Sequence, residues 1–157
     1  WTTDNLARYI LRASGHESAS RILFLSGRTD PDYLRCLALH GFKEIFGTMC
    51  HDFPNIDHLY KDSPIPNNAL YGKGFTYAKL IDEKQRSHQT LQDVLANIKN
   101  RFYDVVIYGS YHRGMPFFKE VNDSYTKDEI ILMCGEDIHG CNYGTFDGYH
   151  TFVRELN

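Results

Sequence analysis

The chain has 157 residues and a formal net charge of −3, a length that suits one domain with its own core. That weakly acidic balance gives no electrostatic reason to expect nucleic acid or an anionic membrane surface as a partner. No apolar stretch approaches the ~20 residues a membrane helix needs, so no membrane span is expected.

The first 18 residues read as a helix from about Thr3 to Ala13, with Leu6, Tyr9, Ile10 and Leu11 on its apolar side and Gly15 as its stop. This segment, 1–18, is either an extra helix packed on the domain or the tail of an upstream one. Residues 19–157 form the domain proper. Trp1 in place of an initiator Met suggests an excised or processed chain.

Three apolar runs each end at a glycine followed by polar residues: Arg21-Ile-Leu-Phe-Leu-Ser-Gly27, Asp104-Val-Val-Ile-Tyr-Gly-Ser110 and Glu129-Ile-Ile-Leu-Met-Cys-Gly135. Continuous apolar runs of this length suit strands buried on both faces, as in a parallel sheet. Between the first and second, Asp30-Pro31-Asp32 opens a helix that carries Leu34, Leu37, Ala38, Gly41 and Ile45 and stops at Gly47. Thr48–Phe53 reads as a short second strand. Residues 55–74 form a long turn-rich connection, and Phe75–Ile81 reads as a third strand with a short helix as its rival.

Thr90 with Asp93 has the spacing of a capping box, and Leu91, Val94, Leu95, Ile98 and Phe102 make one helical stripe behind it. Met115-Pro116-Phe117 opens a further helix, and His150–Glu155 reads as a last strand. Strands alternating with helices in this way predict a doubly wound, mainly parallel sheet. The fold class is Rossmann-like α/β, three layers α/β/α, with an extra N-terminal helix.

Cys36, Cys50, Cys134 and Cys141 show no CxxC spacing and read as reduced, which suggests a cytoplasmic protein. Cys134, Cys141, His139 and His150 match no common zinc spacing, and no metal is expected.

In a parallel sheet the loops at the carboxyl ends of the strands share one edge, where ligands collect. Those loops carry Gly27-Arg28-Thr29-Asp30, Ser110-Tyr-His-Arg-Gly114 and Gly135-Glu-Asp-Ile-His139. Arg28 and Arg113 are suited to fork onto a phosphate or carboxylate. His112 or His139 suits a general base, since imidazole titrates near neutrality. Glu136 and Asp137 can orient such a histidine or accept bonds from sugar hydroxyls, and Ser110 is a further polar contact. Equally, each of these residues can be an ordinary loop polar group in a salt bridge. Gly72-Lys-Gly74 precedes a strand-like run, so neither a P-loop nor a dinucleotide fingerprint is present.

Ile22-Leu-Phe-Leu-Ser-Gly27, Leu70-Tyr-Gly-Lys-Gly-Phe-Thr76, Tyr103-Asp-Val-Val-Ile-Tyr-Gly-Ser110 and Gly135-Glu-Asp137 resemble the amino-terminal half of GT-B-type glycosyltransferase-like proteins. Phe152-Val-Arg-Glu-Leu156 is similar to the strand by which such halves lead onward. The resemblance covers about residues 20–156 and is one of fold, with no invariant catalytic signature. It implies an acceptor-side domain that holds a sugar or glycan acceptor, without metal and without a covalently bound cofactor. A C-terminal domain of the same protein, not in this chain, would bind the nucleotide-sugar donor, so this chain alone would not complete transfer. On that reading His112 is the favoured base, with His139 its alternate. Arg28 and Arg113 place anionic groups, and Glu136 or Asp137 binds sugar hydroxyls. The other readings are a non-catalytic binding or assembly module, and a stand-alone hydrolase that lacks any nucleophile motif.

Overall fold

The computed structural model describes residues 2–136 and 146–154. Its centre is a five-stranded sheet, all parallel, in the order β2-β1-β3-β4-β5. The strands are β1 (Ile22–Leu25), β2 (Cys50–Phe53), β3 (Val105–Tyr108), β4 (Ile130–Cys134) and β5 (His150–Val153). The helices are α1 (Thr3–Ala13), α2 (Tyr33–Phe46), α3 (Leu91–Lys99) and α4 (Phe118–Ser124). Every residue of β1, β3 and β4 is buried, as their unbroken apolar runs require.

Alternate residues of these strands feed two cores. Ile22, Phe24, Val105, Ile107, Ile131 and Met133 face one side, with Ala7, Ile10 and Leu11 of α1 and Cys36, Leu39 and Phe42 of α2. Leu23, Leu25, Val106, Tyr108, Ile130 and Leu132 face the other, with Val94 and Ile98 of α3 and Val121 of α4. Burial of each such aliphatic side chain contributes about 1.5–3 kcal/mol. The register is set at the amino ends, where Ile22 pairs with both Cys50 and Val105. Helix α1 docks on α2, where a 2.8 Å hydrogen bond joins Thr3 Oγ1 to His40 Nδ1.

Local signals set most boundaries. Asp32 caps α2 by accepting from the Arg35 backbone N–H. The Thr90–Asp93 capping box is complete at the start of α3. The strand expected over Phe75–Ile81 is a correction. Thr76 and Lys79 have φ of 73° and 55°, which an extended strand does not allow. Only Ile81 makes a ladder contact there, an isolated bridge to Tyr60. Tyr77 and Ile81 are nevertheless buried, so this segment packs as an irregular cover on the α1/α2 side of the sheet.

Candidate functional site

Strands β1 and β3 are neighbours, but the connections that leave them diverge. The chain leaves β1 for α2 on one face and leaves β3 for α4 on the other. This reversal opens a crevice outside the carboxyl ends of the two strands. The two loops run close together there. A Cβ on Gly27 would lie 2.5 Å from the carbonyl oxygens of Arg113 and Gly114, so only glycine fits.

The loop after β1 is fixed from below. Arg35, one turn into α2, is fully buried, and its guanidinium donates to the backbone carbonyls of Arg28 and Asp30. Asp32 is held equally firmly. One carboxylate oxygen accepts from the Arg35 N–H at 3.0 Å, and the other accepts from Ser110 Oγ at 2.8 Å. A Cβ on Gly135 would fall 2.3 Å from Asp32 Oδ1, so the glycine ending β4 makes room for this carboxylate.

The loops after β3 and β4 bring a second charged group. Arg113 donates to Glu136 Oε1 from Nη2 at 2.8 Å and from Nε at 3.2 Å, and it also pairs with Asp30. Asp32 Oδ2 lies 3.7 Å from Arg113 Nε. His112 Nε2 lies 2.8 Å from Glu136 Oε1, which fits the tautomer with its proton on Nε2, donated to the carboxylate. Nδ1 of His112 is buried with no partner among the described residues.

Burial pushes the His112 pKa below its ordinary value, and this outweighs the opposing pull of Glu136, so the ring is neutral at pH 7. For Glu136, partial burial alone would raise the pKa, but the bonds from Arg113 and His112 hold it below the usual range. Asp30 behaves alike: burial raises its pKa, and Arg113 with Arg28 more than offsets that. Both carboxylates are therefore charged. A cleft of about 600 Å³ opens over them, lined by Asp30, Asp32, Tyr33, Tyr71, Arg113 and Glu136 among others.

The structure brings Ser110, His112, Arg113 and Glu136 together, as the strand-end reading expects, but their positions differ from the roles given them. Glu136 faces the cleft, with its side chain 37% exposed, whereas His112 stands behind it at 9%. Ser110 is buried and spends its hydroxyl on Asp32. Arg28 is largely exposed and pairs with Asp30 at 3.2 Å. Arg113 is already neutralised by carboxylates. Asp137 and His139 lie outside the described residues.

Sequence reasoning took Asp32 only as a helix start and missed Tyr33 and Tyr71. The Asp30-Pro-Asp32 spacing was the available signal for a paired acidic rim. It also missed a second buried charge pair: Lys43 Nζ and Asp52 Oδ1 are 2.9 Å apart with side chains 0% and 1% exposed. Lys43 also donates to the carbonyls of Cys50 and Gln85, while Tyr60 and Ser87 donate to Asp52. The reading of all four cysteines as reduced is corrected at Cys134, which is disulfide-bonded. Cys36 and Cys50 are free, and burial raises both thiols, to about 11 and about 12.

Comparison with protein-family models, curated proteins and solved structures finds no match to this chain. Among the described residues no helix is long and apolar enough to cross a membrane.

Proposed function

We propose that this chain is the acceptor-side domain of a glycosyltransferase-like protein, and that the cleft at its β1/β3 edge holds a neutral, hydroxyl-rich sugar or glycan acceptor. One observation carries the reading: two ionised carboxylates, Asp30 and Glu136, line the cleft beside the exposed ring of Tyr71. Carboxylates accept hydrogen bonds from sugar hydroxyls, and an aromatic face takes the apolar side of a sugar ring. Arg113 is shared between Asp30 and Glu136, which makes it a weak anchor for a phosphate, although Arg154 also lines the cleft. On this reading the nucleotide-sugar donor belongs to a second domain of the same protein.

Glu136 replaces His112 as the group that meets an acceptor hydroxyl, with His112 positioning its carboxylate. The disulfide at Cys134 favours an oxidising compartment over the cytoplasm expected from sequence. The test is calorimetric titration of neutral saccharides and of nucleotide-sugars into residues 1–157. Saccharide binding that falls at least about tenfold in Asp30→Asn/Glu136→Gln supports the reading. Nucleotide-sugar binding by this chain, or saccharide binding untouched by the two changes, refutes it.

A second reading, a non-catalytic binding module, is favoured by one specific feature. Among the described residues, His112 offers the cleft no free imidazole nitrogen, since its Nδ1 is buried and its Nε2 is committed to Glu136. In the native-length protein with donor present, saccharide binding without transfer would select this reading.

A further inference from the structure

At the opposite edge of the sheet, about 16 Å along β4 from Glu136, three side chains from separate elements converge. They are His16, just after α1, Asp128, in the turn before β4, and His150, the first residue of β5. One ligand atom from each lies within 4.8 Å of the other two. We propose that His16, Asp128 and His150 form a binding site for a divalent transition-metal ion of the zinc class. This inference does not rest on the reading of the cleft.

Each ligand is placed by its own local structure. His16 follows a helix end in which its N–H bonds the Leu11 carbonyl at 2.7 Å and the Gly15 N–H bonds that of Arg12 at 3.1 Å. That pair of bonds fixes the backbone two residues past the cap. Asp128 sits inside the Thr126–Glu129 capping box, a closed turn with both reciprocal bonds made. His150 is fixed by its pairing with Ile131 in the β4–β5 ladder.

The two imidazoles present the same nitrogen to the same carboxylate. His150 Nε2 is 2.9 Å from Asp128 Oδ1, and His16 Nε2 is 3.8 Å from Oδ2. A tetrahedral ion with ligands at 2.0–2.1 Å needs donor atoms about 3.3 Å apart. The two distances, one to each carboxylate oxygen, lie near that value, and the three ligand atoms, at up to 4.8 Å, draw together on binding. In the present arrangement the Nε2 of His16 lies 2.7 Å from the Asp128 carbonyl and that of His150 2.9 Å from Asp128 Oδ1. Metal binding therefore requires the His16 ring to turn off that carbonyl and both rings to carry their proton on Nδ1. Two imidazoles and one carboxylate suit zinc, copper or nickel better than calcium or magnesium, and three protein ligands leave a place for water. The side chains of His16 and His150 are 15% and 30% exposed, so an ion can enter from solvent. Bound there, it ties the end of α1 and the edge strand β5 to the turn before β4.

The test titrates tag-free, chelator-treated chain 1–157 with Co²⁺, read by visible absorption, and with Zn²⁺, read by the thermal unfolding midpoint. Saturation at one equivalent and a midpoint that rises with Zn²⁺ are expected. The His16→Ala/His150→Ala variant should lose about 100-fold or more in affinity, and Asp128→Asn about 10-fold. Circular dichroism of the metal-free variants should match that of the parent. No cobalt absorption and no midpoint rise at about 0.1 mM metal would overturn the site, as would unchanged binding by the double-histidine variant.

Discussion

Asp32 joins the site to the stability of the fold, and its two oxygens make separable contributions. In Asp32→Ala the cap on the Arg35 N–H is lost, at a cost of about 1 kcal/mol. The Ser110 hydroxyl, 1% exposed, is also left without its acceptor, at about 1–3 kcal/mol. The sum is about 2–4 kcal/mol. Asp32→Asn keeps the cap through its carbonyl oxygen and offers an N–H to Ser110 Oγ, which can accept it. What it loses is the charge beside Arg35 and Arg113, at about 1 kcal/mol. Urea unfolding followed by circular dichroism reads both changes. With a denaturant slope of about 2 kcal/mol/M, the alanine midpoint falls by about 1–2 M and the asparagine midpoint by about 0.5 M. Equal shifts in the two variants would refute the assignment of separate roles to the two oxygens.

Lys43→Met leaves Asp52 charged and buried without its partner and should cost about 3–5 kcal/mol. Adding Asp52→Asn should recover part of that loss in the same unfolding assay, and a single-variant cost under about 1 kcal/mol would contradict the pairing. Burial holds His40, His51, His58 and His112 below their ordinary pKa near 6.5. The unfolded chain therefore binds more protons than the folded one, and stability should fall as pH drops through 6.5, the carboxylates held low, Asp30 and Glu136 among them, extending the fall further into acid. A flat unfolding midpoint between about pH 7 and pH 5 would contradict it. Tyr71→Ala, at a residue 74% exposed, should leave the midpoint unchanged while weakening saccharide binding several-fold by calorimetry.

The elements that read clearly in sequence were those whose own residues decide them. The β1, β3 and β4 runs have no polar residue to place, so only double-sided burial suits them. Thr90 and Asp93 answer each other across one turn, and α3 starts where they do. The 75–81 segment misled because its Phe, Tyr, Leu and Ile pattern records burial of Tyr77 and Ile81 and not their backbone conformation. At the site, convergence of the strand ends was legible because a parallel sheet forces it. The order in depth of His112 and Glu136 was not, since it depends on how the loops after β3 and β4 turn beyond their strands. Lys43 and Asp52 were silent because a lysine on a helix reads as a solvent residue until its distant acid is found 2.9 Å away.

Arg35 has a consequence for how the cleft meets a ligand. Its guanidinium is set when α2 docks on the sheet, and from there it holds the β1–α2 loop at two points, the carbonyls of Arg28 and Asp30. The Asp30 side of the cleft is thus held in place without any ligand. A loop ordered only on contact would lose conformational entropy with every association, whereas here that loss occurs once in the life of the molecule. If the cleft takes the saccharide proposed above, selection would rest on shape and hydroxyl geometry, because the Asp30 side of the cleft has little freedom to close around a poor match.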